Sequence, residues 1–100
     1  MQIETPAIAG TLESSDAQVT VEPCEEGLDL SVHSTVIAQY GRQIRETAME
    51  TLKRLGVENA SVMVNDHGAL DCTLRARIEC AVFRAANVTK DYPWEEVIQP

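Results

Sequence analysis

Basic residues are scarce in this 100-residue chain: eight lysines and arginines stand against sixteen aspartates and glutamates, for a net charge of −8. Binding to nucleic acid or anionic membrane begins with lysine and arginine at phosphates, so neither partner is expected. Long apolar runs are missing too. None approaches the ~18 residues that a membrane span requires. The opening Met1-Gln2-Ile3-Glu4 has neither the basic nor the apolar part of a signal peptide, and a cytoplasmic location is the expectation. Cysteine is limited to Cys24, Cys72 and Cys80, an odd number without a C-x-x-C pair. Reduced thiols are expected, with Cys72 and Cys80 as small core fillers on a helix.

Catalytic groups are equally sparse. His33 and His67 are the two histidines, one near a strand end and one in a loop. No serine or cysteine is spaced to complete a triad with either. No His/Cys/Asp/Glu cluster has metal-ligand spacing, and there is neither a P-loop nor a G-x-G-x-x-G. Carboxylates are plentiful, but no pair sits in contrasting surroundings that would drive their pKa values apart. Asp66-His67-Gly68 has the composition of a cation loop, yet a strand-to-helix turn accounts for it fully. The expectation is therefore no catalytic residue, no metal and no self-contained active site.

What is present is the patterning of one small α+β domain. The apolar content of 44% and charged content of 24% are those of an ordinary globular chain. Residues 1–90 form the expected domain and 91–100 a tail. Strands are predicted at 6–13, 17–22 and 28–33, the last with Leu28, Leu30 and Val32 on one face; together they read as an antiparallel meander. A helix follows, with Ser34 as N-cap and Gly56 at C′. Its apolar stripe is Ile37, Tyr40, Ile44, Ala48, Thr51 or Leu52, and Leu55, and Glu50 and Arg54 pair one turn apart. A fourth strand spans 60–65. A second helix, from about Ala69, is expected to bury Leu70, Leu74, Ile78 and Val82. The order β-β-β-α-β-α predicts a four-stranded, largely antiparallel sheet with two helices packed on one face.

Two features point to function. Glu13-Ser14-Ser15-Asp16 is a polar turn between the first two strands. A serine there is held by a rigid scaffold yet exposed, and so within reach of a modifying enzyme, although serine and aspartate are also ordinary turn formers. The other is a set of arginines on the helices. Arg75 has Asp71 and Glu79 one turn away, whereas Arg77 has Thr73 and Ala81. Arg77 thus lacks a partner one turn away and is the better candidate for contacting a protein interface or a phosphate.

Taken together, several segments resemble the acyl carrier subunit (gamma chain) of citrate lyase. They are Pro6-Ala7-Ile8-Ala9-Gly10-Thr11-Leu12-Glu13-Ser14, Tyr40-Gly41 with Ile44-Arg45, the block from Asn65 to Arg77 containing Gly68-Ala69-Leu70-Asp71-Cys72, and Pro93-Trp94-Glu95. The resemblance implies a covalent 2'-(5''-phosphoribosyl)-3'-dephospho-CoA group, joined by a phosphodiester to a serine that falls on Ser14. The family follows that serine with Gly-Asp. Here Ser15 replaces the glycine, which leaves the turn type open and makes Ser15 a chemically competent second acceptor. The resemblance further implies a non-catalytic carrier that presents acetyl and citryl thioesters to the alpha and beta subunits of the lyase. A prosthetic-group transferase and an acetylating ligase would load it. Carriers of malonate decarboxylase and citramalate lyase are sister readings. A plain α+β interaction module, with Ser14 only a turn residue, is the reading from another class.

Overall fold

The computed structural model describes residues 2–35 and 37–86; the expected tail at 91–100, with Pro93-Trp94-Glu95, lies outside the described residues, as does the side chain of Ile37. Six elements follow in the expected order: β1 (Ala7–Gly10), β2 (Ala17–Pro23), β3 (Leu28–Ser34), α1 (Ile37–Arg54), β4 (Ala60–Asp66) and α2 (Asp71–Ala85). The four strands form a single sheet in the order β1-β2-β4-β3. β2 pairs antiparallel with both β1 and β4, and β3 pairs parallel with β4. Both helices pack on the sheet and against each other, α2 over β1 and β2 and α1 over β3.

The expected meander does not form, because β4 inserts between β2 and β3. A parallel pair needs a long crossover, and α1 supplies it between β3 and β4. The inward residues of β4 explain its central place: Ala60, Val62 and Val64 are all buried, whereas Leu28 and Val32 of β3 are only half-buried. Alternation along the strands sends Val19 and Val21 inward against the helices. Thr20, Met63 and Ser31 stand side by side across the sheet on its other face, half-buried or exposed. That alternation is what a sheet covered on one side requires.

The helices fill the remaining core. Ile44, Ala48, Leu52 and Leu55 of α1 and its exit meet Leu74, Ile78, Val82 and Phe83 of α2, all buried. Each fully buried large side chain of this kind contributes roughly 1.5–3 kcal/mol. α1 closes in a Schellman motif: Val57 N–H donates to Leu52 C=O and Gly56 N–H to Lys53 C=O, both at 3.0 Å. The solvent-side pair of Glu50 and Arg54 forms as expected, at 3.0 Å. The N-terminal segment is fastened at the far end of α2, where Glu4 and Thr5 N–H both donate to Ala85 C=O.

Four expectations fail locally. Ser34 is the last residue of β3 and not a helix cap; its hydroxyl donates to Asp66. Leu70 is 71% exposed because it is the extended N-cap residue of α2 (φ −70°, ψ 156°), one step before the helical stripe begins. Tyr40 is half exposed. Cys72, in the first turn of α2, is also exposed, while Cys80 packs partly against the core; all three cysteines are free.

Candidate functional site

The turn between β1 and β2 is built by a backbone change at Gly10. Its φ of +90° ends β1 earlier than the sequence pattern predicts. A side chain there would collide with Ala17 C=O, since an ideal Cβ falls 1.9 Å from that oxygen. Thr11 to Asp16 then form the hairpin loop. Within it, Asp16 N–H donates to Glu13 C=O at 3.2 Å, closing a four-residue turn with Ser14 and Ser15 at its centre. Ser15 has φ +64° and is the one non-glycine residue with positive φ among the described residues. A positive φ at the third position is the requirement of a type II turn, normally met by glycine. Serine adopts it here against the steric preference of an L-residue.

Two other elements hold this turn. The first is the exit of β4. Ser15 N–H donates to His67 C=O at 2.7 Å and His67 N–H donates to Asp16 C=O at 2.9 Å, which extends the β2–β4 ladder into the loop. The second is α2. Arg77 Nε and Nη2 donate to the two carboxylate oxygens of Asp16 at 3.0 and 2.9 Å, a bidentate fork across 61 positions of sequence. The same carboxylate accepts from Thr11 Oγ1 and from Ala17 N–H. The Arg77 fork, with those two further donors, holds the Asp16 carboxyl well below the usual carboxylate range, and Asp16 in turn raises the Arg77 pKa. The Asp16 side chain is 14% exposed and that of Arg77 39%.

Ser14 stands on this framework, exposed and with no hydrogen-bond partner among the described residues. Arg77 corrects the expectation drawn from its helix. It lacks a partner within α2, but its charge is met by the hairpin and is not free. For Arg75, Asp71 is engaged by Gln43 of α1, whereas the buried Glu79 lies near both Arg75, as the helix spacing implies, and Arg54. Burial pushes the Glu79 carboxyl up, with those two arginines opposing.

The loop behind the turn is ordered by a buried aspartate. Asp66, 2% exposed, accepts from Ser34 Oγ, Gly68 N–H and Ala69 N–H at 2.9, 3.1 and 3.0 Å. These bonds shape Asp66-His67-Gly68 as a strand-to-helix turn and place His67 against the hairpin. No group of three or more possible metal ligands occurs among the described residues. His33 is exposed and His67 half-buried, and neither imidazole has a hydrogen-bond partner among the described residues. A groove of about 590 Å³ is lined by Gln2, Ile3, Cys24, Glu25, Gly56, Glu58 and Asn59 at the opposite end of the sheet from Ser14. The hairpin thus presents two exposed serine hydroxyls, those of Ser14 and Ser15, neither with a hydrogen-bond partner among the described residues.

Comparison with known proteins places this geometry. Residues 4–85 match the acyl carrier protein family described as the malonate decarboxylase delta subunit (MdcD). The chain is 50% identical over 97 residues to the citrate lyase acyl carrier protein of Lacticaseibacillus casei, covering 97% of this chain and 95% of that one. The corresponding protein of Fusobacterium nucleatum is 53% identical over 93 residues, covering 92% and 98%. The chain belongs to the citrate lyase acyl carrier protein family. As a member it is a carrier and not an enzyme, with a role in a complex of the citrate lyase or malonate decarboxylase type. The fold is shared with a chain in the crystal structure of a Pseudomonas malonate decarboxylase hetero-tetramer in complex with malonate, at a TM-score of 0.62 and 22% identity over 85% of this chain and 92% of that one. No helix among the described residues is long and apolar enough to cross a membrane.

Proposed function

We propose that Ser14 carries 2'-(5''-phosphoribosyl)-3'-dephospho-CoA through a phosphodiester. In this reading the chain serves citrate lyase as its acyl carrier in the cytoplasm. Its partners are the alpha and beta subunits, and a prosthetic-group transferase and an acetylating ligase load it. The observation that carries the reading is an exposed, unengaged hydroxyl on a turn fastened to two other elements. The surroundings fit a phosphodiester. Asp16, two residues on, has its charge met by Arg77, so an anion at Ser14 is spared much of that carboxylate's repulsion.

When bound, the group supplies a thiol at the end of a long arm. The chain's own part is to hold the anchor point, and its framework suits that task. A tether makes each encounter with a partner's active site intramolecular, at an effective concentration of about millimolar for short flexible links. The near-full-length identity to citrate lyase carriers favours that complex over the malonate decarboxylase and citramalate lyase carriers.

Intact mass of the chain co-expressed with its transferase tests the site. The wild type should gain the mass of the group, Ser15→Ala should gain it too, and Ser14→Ala should stay unmodified while folding normally. Modification of Ser14→Ala but not of Ser15→Ala would move the site by one residue. Modification of neither wild type nor variants, with an active transferase, would refute the reading.

A further inference from the structure

Ser15 holds a backbone conformation that its side chain disfavours, directly beside the acceptor hydroxyl. Something must fix it there. The Glu13–Asp16 turn bond is at 3.2 Å, and a single turn bond in an exposed loop is a weak restraint. The stronger restraints are the His67 backbone and the Arg77 fork on Asp16, the residue that closes the turn. Arg77 is well placed to be immobile: its Cδ lies 3.1 Å from the ideal Cβ position of Gly10, so its stem runs against the backbone where β1 turns into the hairpin. The guanidinium edge formed by Nε and Nη2 is committed to Asp16.

We infer that Arg77, acting through Asp16, is a positioning residue for group transfer to Ser14. This rests on the reading of Ser14 as acceptor. Forming the phosphodiester joins Ser14 Oγ to a phosphorus of an activated nucleotide, a phosphoric anhydride. The bond broken is the P–O bond to the anhydride's leaving phosphate, which departs with its electron pair, and the hydroxyl proton passes to a base of the transferase. A hydroxyl on a mobile loop must be ordered at that moment, whereas one on a fixed turn has been ordered by folding. Arg77 therefore acts on the transfer by holding Asp16, and hence the turn, without touching the incoming group.

The test is the rate of incorporation into the full-length apo chain by its transferase, with Arg77→Ala, Asp16→Asn and the double variant compared with wild type. Both single variants should lose at least tenfold in kcat/KM, and the double variant should be no slower than the worse single, because both remove one clamp. Arg77→Lys keeps the charge but loses the fork and should recover part of the rate. Amide exchange at Ser15 supplies a readout independent of the transferase, and should quicken in both singles while the core amides stay protected. Wild-type rates in the single variants would overturn the inference. So would a slow Arg77→Ala beside a normal Asp16→Asn, which would mean that Arg77 meets the donor or the transferase directly. Ser14→Ala separates the two proposals: its modification would sink the acceptor assignment, whereas an inert Ser14→Ala with fully active Arg77→Ala would sink this inference alone.

Discussion

Gly10→Ala is the sharpest test of how the hairpin is built. The new Cβ would lie 1.9 Å from Ala17 C=O, at a backbone φ of +90°. Holding a non-glycine residue in that region costs about 1–3 kcal/mol. Shifting packed backbone to make room costs about 1–3 kcal/mol more. Restricting the unfolded chain returns about 0.4–1 kcal/mol. The net loss is then about 1–6 kcal/mol, against a total stability of about 5–15 kcal/mol for a domain. For a chain of this size, Tm falls by roughly 4–8 °C for each kcal/mol lost. Urea unfolding followed by circular dichroism measures it. The variant should also be a poor substrate for its transferase even well below its Tm, because the Arg77 stem lies 3.1 Å from the same Cβ position. A loss under about 0.5 kcal/mol, the level of a neutral surface change, would refute the argument that close backbone approach requires glycine here.

Leu74, 1% exposed beneath α2, should cost about 2–5 kcal/mol when cut to alanine, while Leu70→Ala should be nearly neutral; a comparable loss at both would restore the longer helix. Ser15→Gly removes the left-handed penalty of about 1–2 kcal/mol and adds back about 0.5–1 kcal/mol of unfolded-chain freedom, for a net gain of up to about 1.5 kcal/mol in urea unfolding; a clear destabilisation would contradict the turn geometry. The depressed Asp16 carboxyl contributes stability that is present above the ordinary carboxylate pKa and is lost as pH falls through its lower folded value. Asp16→Asn should therefore lower stability at pH 7 and flatten the acid limb of the stability curve. Glu79 has the opposite sign: its folded pKa is raised by burial, so its ionisation opposes folding as pH rises through that value. Glu79→Gln should stabilise the chain at pH 7, with the advantage vanishing below the ordinary glutamate pKa.

Elements with their own periodicity were legible in the sequence, and pairings between distant elements were not. Leu28, Leu30 and Val32 mark β3 by alternation, and Ile44, Ala48, Leu52 and Leu55 mark α1 by their helical spacing. Nothing in β3 says that its neighbour will be β4, because that choice depends on how α1 returns the chain and on which strand can bury both flanks. Leu70 misled because an apolar residue at the right spacing continues a stripe on paper, while the backbone is still extended there. The Ser14 turn was visible as polar residues between strands. Its clamp was not: arithmetic along a helix finds partners three or four residues away, and Asp16 is 61 positions from Arg77. The remaining hint was negative, an arginine with no carboxylate one turn away on its own helix.

The insertion of β4 at the centre of the sheet has a consequence for the order of events in assembly. β1 and β2 are made first, but the amide of Ser15 finds its acceptor at His67 and Asp16 its counter-charge at Arg77, both in the last third of the sequence. Such non-local pairings close late, after the entropy of the intervening chain has been spent. A nascent or misfolded chain therefore exposes the serine without the frame that steadies it. Under the proposed attachment at Ser14, dependence on the frame would select for completely folded molecules.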